Sequence, residues 1–176
     1  SAIYLLNKQS VNYYAVAQPV DLGLSVKWAS WNVGANSPEE RGGQYAWGET
    51  EIKHKCEGFN YEHWGATLGR NICGSEHDVA SKKWGDDWRM PTESEINELI
   101  SQCTWTWITY KGVDGYKVVG RNGNSIFLPM TGWRKEGYIA DRDKGLYWAG
   151  TLVDEHEYCA ATLEFESLNA QYAIAK

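Results

Sequence analysis

Between Ile96 and Tyr110 the apolar residues change period. In "EINELISQC", Ile96, Leu99, Ile100 and Cys103 recur every three or four positions and lay one apolar stripe along a helix. In "TWTWITY", which begins at Thr104, Trp105 and Trp107 fall on one face and threonines on the other, the period of a half-buried strand. Further strand segments follow: "YKVVGR", "SIFLPM", "LYWAGT" and "YCAATLEF". Asn122-Gly123 is a strong hairpin signal between two of them, and Val113-Asp114-Gly115 is expected to turn the first tryptophan strand into the next. The acidic "LVDEHE" separates the last two, and "LNAQYAIAK" offers a final strand.

Upstream, two helices are expected. The second starts in "WRMPTESEINEL": Thr92 is the N-cap, Glu95 stands three residues on, and Pro91 precedes the cap. The first lies in "SEHDVASKKWG", with Ser75 as N-cap, Asp78 completing a capping-box variant, Lys82 and Lys83 near the C-terminus, and Gly85 ending it. The stretch from Thr50 to Gly74 has neither period. Before it come β-type segments: "IYLL" and "VNYYAVA", interrupted by Gln18-Pro19, then "SVKWASW" and a short strand at Gln44–Trp47. Strands, two helices and a run of antiparallel hairpins make an α+β pattern. A length of 176 residues suits one domain.

Ten tryptophans and eleven tyrosines against three phenylalanines supply large apolar rings with polar edges, suited to irregular cores and to contact surfaces. Seventeen basic and twenty-three acidic residues give a net charge of −6, which argues against a nucleic-acid surface. No apolar run approaches the roughly 20 residues of a membrane span. The opening "SAIYLLNKQS" lacks the pattern of a signal peptide, and a chain that starts at Ser1 is expected to be a processed or trimmed product. Cys56, Cys73, Cys103 and Cys159 form no CxxC pair; two disulfides and buried free thiols are both open readings.

The segments "VDLGLSVKWASWNVGA", "GGQYAWGE", "DVASKKWGDDWRMPTESEINELISQCTWTW" and "GYKVVGRNGNSIFLPMTGWR" closely resemble the Fibrobacter succinogenes major paralogous domain. The resemblance runs from about Val20 to Phe165, which leaves residues 1–19 as an N-terminal strand segment and 166–176 as an atypical tail. It implies a C-type lectin-like fold, with two helices packed on twisted antiparallel sheets. It also implies an exported, cell-surface setting of the kind found in Bacteroidetes, and a distant similarity to the formylglycine-generating sulfatase-modifying domain through "WR-x-PT-E". The family's closing Arg-Pro strand is missing before Lys176. The N-terminal "IYLL" or "NYYAVA" is therefore expected to cover the open sheet edge, within the chain or across a homodimer.

Several candidate sites have simpler explanations. Arg89 is expected to stack on an indole and pair with a carboxylate beside the helix start. Glu93, Glu95 and Glu98 serve capping and dipole, since a glycosidase pair comes from facing elements. His54, Cys56 and His63 match no zinc spacing, and "DRDKG" at Asp141–Gly145 is too short for an EF-hand loop. Cys103 and Cys159 both read as structural, which removes the oxidase reading. The span "GWRKEGYIADRDKGLYW" remains. Trp133, Arg134, Tyr138, Asp141, Arg142 and Tyr147 combine ring faces with hydrogen-bonding groups, the materials of sugar or protein recognition; Trp133 and Tyr147 have core packing as their other reading, and Trp148 is expected to be core. The resulting expectation is a non-enzymatic recognition or adhesion module that binds a glycan or a partner protein, with no cofactor. A structural module of a larger surface assembly, without a small-ligand site, is the second reading; an enzyme is the third.

Overall fold

The structure is a computed structural model that describes residues 15–52, 61–63, 67–135, 138–140, 142–153, 159–167 and 172–175; of 133–135 and 172–175 it describes the main chain. Among these residues the elements run β1 (Pro19–Val20), β2 (Trp28–Ala29), α1 (Val79–Trp84), α2 (Glu93–Gln102), β3 (Thr104–Tyr110), β4 (Val113–Val119), β5 (Ser125–Pro129), β6 (Trp133–Lys135), β7 (Tyr138–Ala140), β8 (Lys144–Leu152), β9 (Ala160–Glu166) and β10 (Tyr172–Ala175). This is the expected α+β class. Every strand pair is antiparallel: β1 with β2, the sheet β3-β4-β5, the hairpin β6-β7, and the sheet β10-β9-β8.

The change of period is where the core forms. The α2 stripe places Ile96 and Leu99 out of solvent, with Ile100 and Cys103 packed at its margin. They meet Tyr116 and Val118 of β4, Ile126 and Leu128 of β5, and Ala161, Leu163 and Phe165 of β9. Helix α2 lies against β8, β9 and β10. Tyr116 and Phe165 are the hub. Their rings sit edge to face at 5.2 Å, and Trp105 and Trp107 approach Tyr116 at 5.5 and 5.1 Å, the geometry that ring quadrupoles favour.

The α2 start is as expected. Thr92 accepts from the Glu95 N–H, and the Glu95 side chain accepts from the Thr92 N–H. Helix α1 differs: its N-cap is Asp78, not Ser75. The Asp78 carboxylate accepts from four backbone N–H groups, those of Ala80 and Ser81 on one oxygen and of Gly74 and Met90 on the other. A charged two-oxygen acceptor can tie three chain segments together where a hydroxyl cannot. Lys82 and Lys83 occupy the last turn and Gly85 the C-cap, as expected.

Other boundaries move. The β3–β4 turn is Lys111-Gly112, both with positive φ (47° and 78°), rather than Val113–Gly115. Gly115 lies inside β4, where β5 comes so close that a Cβ would strike the Leu128 carbonyl oxygen. Pro19 begins a two-residue strand instead of interrupting one, and "SVKWASW" contributes only Trp28 and Ala29 to pairing. Gln44–Trp47 joins no strand. The polar span after Gly132 contains the β6-β7 hairpin. The tail forms β10 and covers the β9 edge; residues 1–14, with "IYLL" and the start of "NYYAVA", lie outside the described residues. Cys159 is exposed, before β9 begins, not inside the strand. Cys73, Cys103 and Cys159 are free thiols, and Cys56 lies outside the described residues.

Candidate functional site

A cleft of about 1300 Å³ opens between the irregular segment 26–49, the α1–α2 region and β8. Six tryptophans line it: Trp28, Trp31, Trp47, Trp84, Trp88 and Trp148. They come from segments with little or no regular structure, apart from α1 and β8, so they are not the repeating face of any one element.

Side-chain hydrogen bonds to the main chain hold the walls together. Trp47 Nε1 donates to the Ala149 carbonyl (2.9 Å), and Trp148 Nε1 donates to the Tyr45 carbonyl (2.9 Å). The two bonds cross between β8 and the segment that carries Tyr45 and Trp47, and do the work of a strand pairing. Trp31 Nε1 donates to the Ala15 carbonyl (3.2 Å), and Gln44 Nε2 to the Thr131 carbonyl (3.0 Å). Behind the wall, Tyr61 Oη donates to the Trp47 carbonyl and His63 Nε2 lies 3.1 Å from the Gly48 carbonyl. On the far side Trp84 and Trp88 meet edge to face at 5.0 Å.

Arg89 and Glu95 also line the cleft. Nη1 and Nη2 of the guanidinium each stand 2.7 Å from one Glu95 oxygen, and Nη1 also donates to the Met90 carbonyl. Burial alone would push the Glu95 carboxyl up; the bonds from Arg89 and from the Thr92 N–H outweigh it and hold the group below its usual range. The bonds to Glu95 raise Arg89 in turn. With both oxygens engaged, Glu95 is an anchor and the expected structural pairing of Arg89 is present.

The expected binding residues divide. Tyr138 is 55% exposed and Arg142 is also exposed, and neither lines the cleft. Trp133 and Arg134 are described by their main chain in β6, and Asp141 lies outside the described residues. Tyr147 lines the cleft, but its hydroxyl donates to the Pro129 carbonyl at 2.6 Å, and burial pushes the phenol well above its ordinary range. Gly132 lines the cleft and leads into β6, so the β6-β7 hairpin springs from the rim. Trp148, expected to be core, is 38% exposed. His54 and Cys56 lie outside the described residues, and no group of three metal-ligating side chains is found among those described. Among the described residues, no helix is long and apolar enough to cross a membrane.

The sequence does carry a signal for one of the cleft tryptophans. Trp88 stands where neither helical nor strand period explains a large ring, whereas Trp31 and Trp47 fall in segments that read as strands. No family model matches the chain, and neither a curated protein nor a solved structure does.

Proposed function

We propose that this protein is a recognition module that binds an extended glycan in its tryptophan-lined cleft. One observation carries the reading: six indoles converge on a single concavity, and at least three have their N–H groups tied to backbone carbonyls, which fixes the rings before any ligand arrives. Binding sites are typically concave, mostly apolar and furnished with a few polar groups, and fixed rings lose little entropy on binding. The cleft exceeds the usual small-molecule pocket of roughly 300–1,000 Å³, which favours an oligosaccharide over a single sugar.

The resemblance to the Fibrobacter succinogenes major paralogous domain supports a C-type lectin-like fold and an exported, cell-surface setting for this work. In this reading the chemistry of contact is binding without catalysis. The β6-β7 hairpin at the rim, with Tyr138 exposed, adds an outer contact.

A glycan array with the wild-type chain and with Trp148→Ala tests the proposal. Binding that Trp148→Ala abolishes is the expected result. Binding that survives in full, or no binding to any glycan, would remove the cleft as a sugar site and favour a protein partner or a structural module.

A further inference from the structure

Arg89 lines the cleft, and its side chain is 41% open to solvent, against 11% for its partner Glu95. A guanidinium carries five N–H donors in one plane. Three are taken: Nη1 donates to the Met90 carbonyl and to Glu95 Oε1, and Nη2 donates to Glu95 Oε2. The two that remain, Nε–H and the second N–H of Nη2, lie side by side along another edge of the plane. The Cys73 thiol also faces the group, but sulfur is a weak acceptor and leaves a charged fork short of a strong partner.

The fork is fixed in place. Glu95 clamps one edge of it and is itself held by the Thr92 cap. The segment that follows Arg89 runs beside β8: the Gly150 N–H donates to the Pro91 carbonyl at 2.7 Å, and the Glu93 N–H donates to Thr151 Oγ1 at 2.9 Å. These contacts advance together along both segments, which sets Arg89 toward the Trp148 end of the stretch. Arg89 and the 38% exposed Trp148 therefore lie on the same side of the cleft.

We infer that Arg89, besides anchoring α2, is a ligand contact: its free edge donates to two neighbouring hydroxyls of one sugar, so the cleft takes glycans with unsubstituted vicinal diols. The inference rests on the cleft reading above. Two adjacent hydroxyl oxygens can accept from two parallel N–H groups, as a carboxylate does. A carboxylate would bring a second anion to an arginine whose charge Glu95 already balances, in a chain of net charge −6. A sugar gripped by the hydroxyls at its rim also keeps its apolar C–H face free to stack on an indole.

The test is tryptophan fluorescence titration of the full chain with β-1,4-linked hexaoses of glucose, xylose and mannose, each free and with its 2- and 3-hydroxyls methylated. Wild type is compared with Trp148→Ala and with Arg89→Lys, which keeps a cation for Glu95 and lacks the fork. A free hexaose binds, methylation weakens it roughly tenfold, the scale of one hydrogen bond to a charged group, and Arg89→Lys removes that preference. A wild type that binds free and methylated forms alike, or a folded Arg89→Lys that keeps the preference, overturns this inference and leaves the cleft reading standing. Failure of every hexaose to bind, or indifference to Trp148→Ala, removes both. If thermal melts show that Arg89→Lys has not folded, Arg89→Gln takes its place, and the wild-type comparison of free and methylated forms decides by itself.

Discussion

Arg89 and Glu95 form a two-point ion pair at 2.7 Å on each arm, and the same carboxylate closes the capping box of α2. One side chain thus joins the floor of the cleft to the start of the helix that carries the core stripe. The arginine is 41% open to solvent, whereas the glutamate is largely covered.

Arg89→Met leaves that covered carboxylate without its charge partner. We expect a loss of about 1–3 kcal/mol in urea unfolding, near the lower end because water reaches the site from the arginine side.

The pH dependence has a definite sign. Glu95 is held below its ordinary range in the folded protein, so its contribution is complete above about pH 4.3, where the unfolded group ionises. It fades as pH falls through the lower folded value. Urea unfolding of wild type and Glu95→Gln from pH 7 to pH 2.5 should therefore show a gap that narrows on acidification. A gap that widens would contradict the ion-pair account.

Asp78 is 0% exposed and meets four backbone N–H groups. An ordinary cap is worth about 1 kcal/mol, but removing this one orphans donors in three segments. Asp78→Ala should cost roughly 2–4 kcal/mol in equilibrium denaturation, clearly more than Ser75→Ala. Equal effects of the two would restore Ser75 as the cap.

Gly115→Ala would place a Cβ against the Leu128 carbonyl and 2.9 Å from the Pro129 Cα, both backbone atoms of the partner strand. We expect about 1–3 kcal/mol of destabilisation, and a melting temperature lower by roughly 2–4 °C per kcal/mol. An unchanged melt would show that β5 yields.

The cysteines should separate by reactivity. Burial raises the Cys73 and Cys103 thiols, which keeps the reactive thiolate scarce, whereas Cys159 is exposed. Peptide mapping after brief alkylation at pH 8 should find Cys159 modified well before the other two. Comparable labelling of Cys103 would contradict its place at the core margin.

Much of the second half was legible in the residues. A capping box and a helical stripe mark α2, and strict alternation in the sequence marks β3; β5, β8 and β9 fall on short runs of apolar and strand-forming residues, which are also local. The Asn122-Gly123 turn follows for the same reason. The first half was harder to read because its order comes from side chains. Gln44–Trp47 looks like a strand, yet it is held through the Trp47 and Trp148 indoles and the Gln44 amide. The β3–β4 turn was misplaced because Gly115 marks close backbone approach, which leaves the same letter in the sequence as a bend.

In the second half of the chain, the amino-acid sequence by itself determined which segments are helix or strand, because those depend on spacing and residue type within a few positions. Only the tertiary structure decided which indoles become a lining and which become core. Trp148 spends its N–H on a carbonyl 103 positions away, while Trp105 spends its own on Leu99, six positions away. The partner each ring finds, and the side it leaves bare, depends on segments brought together by folding, and no local period records that.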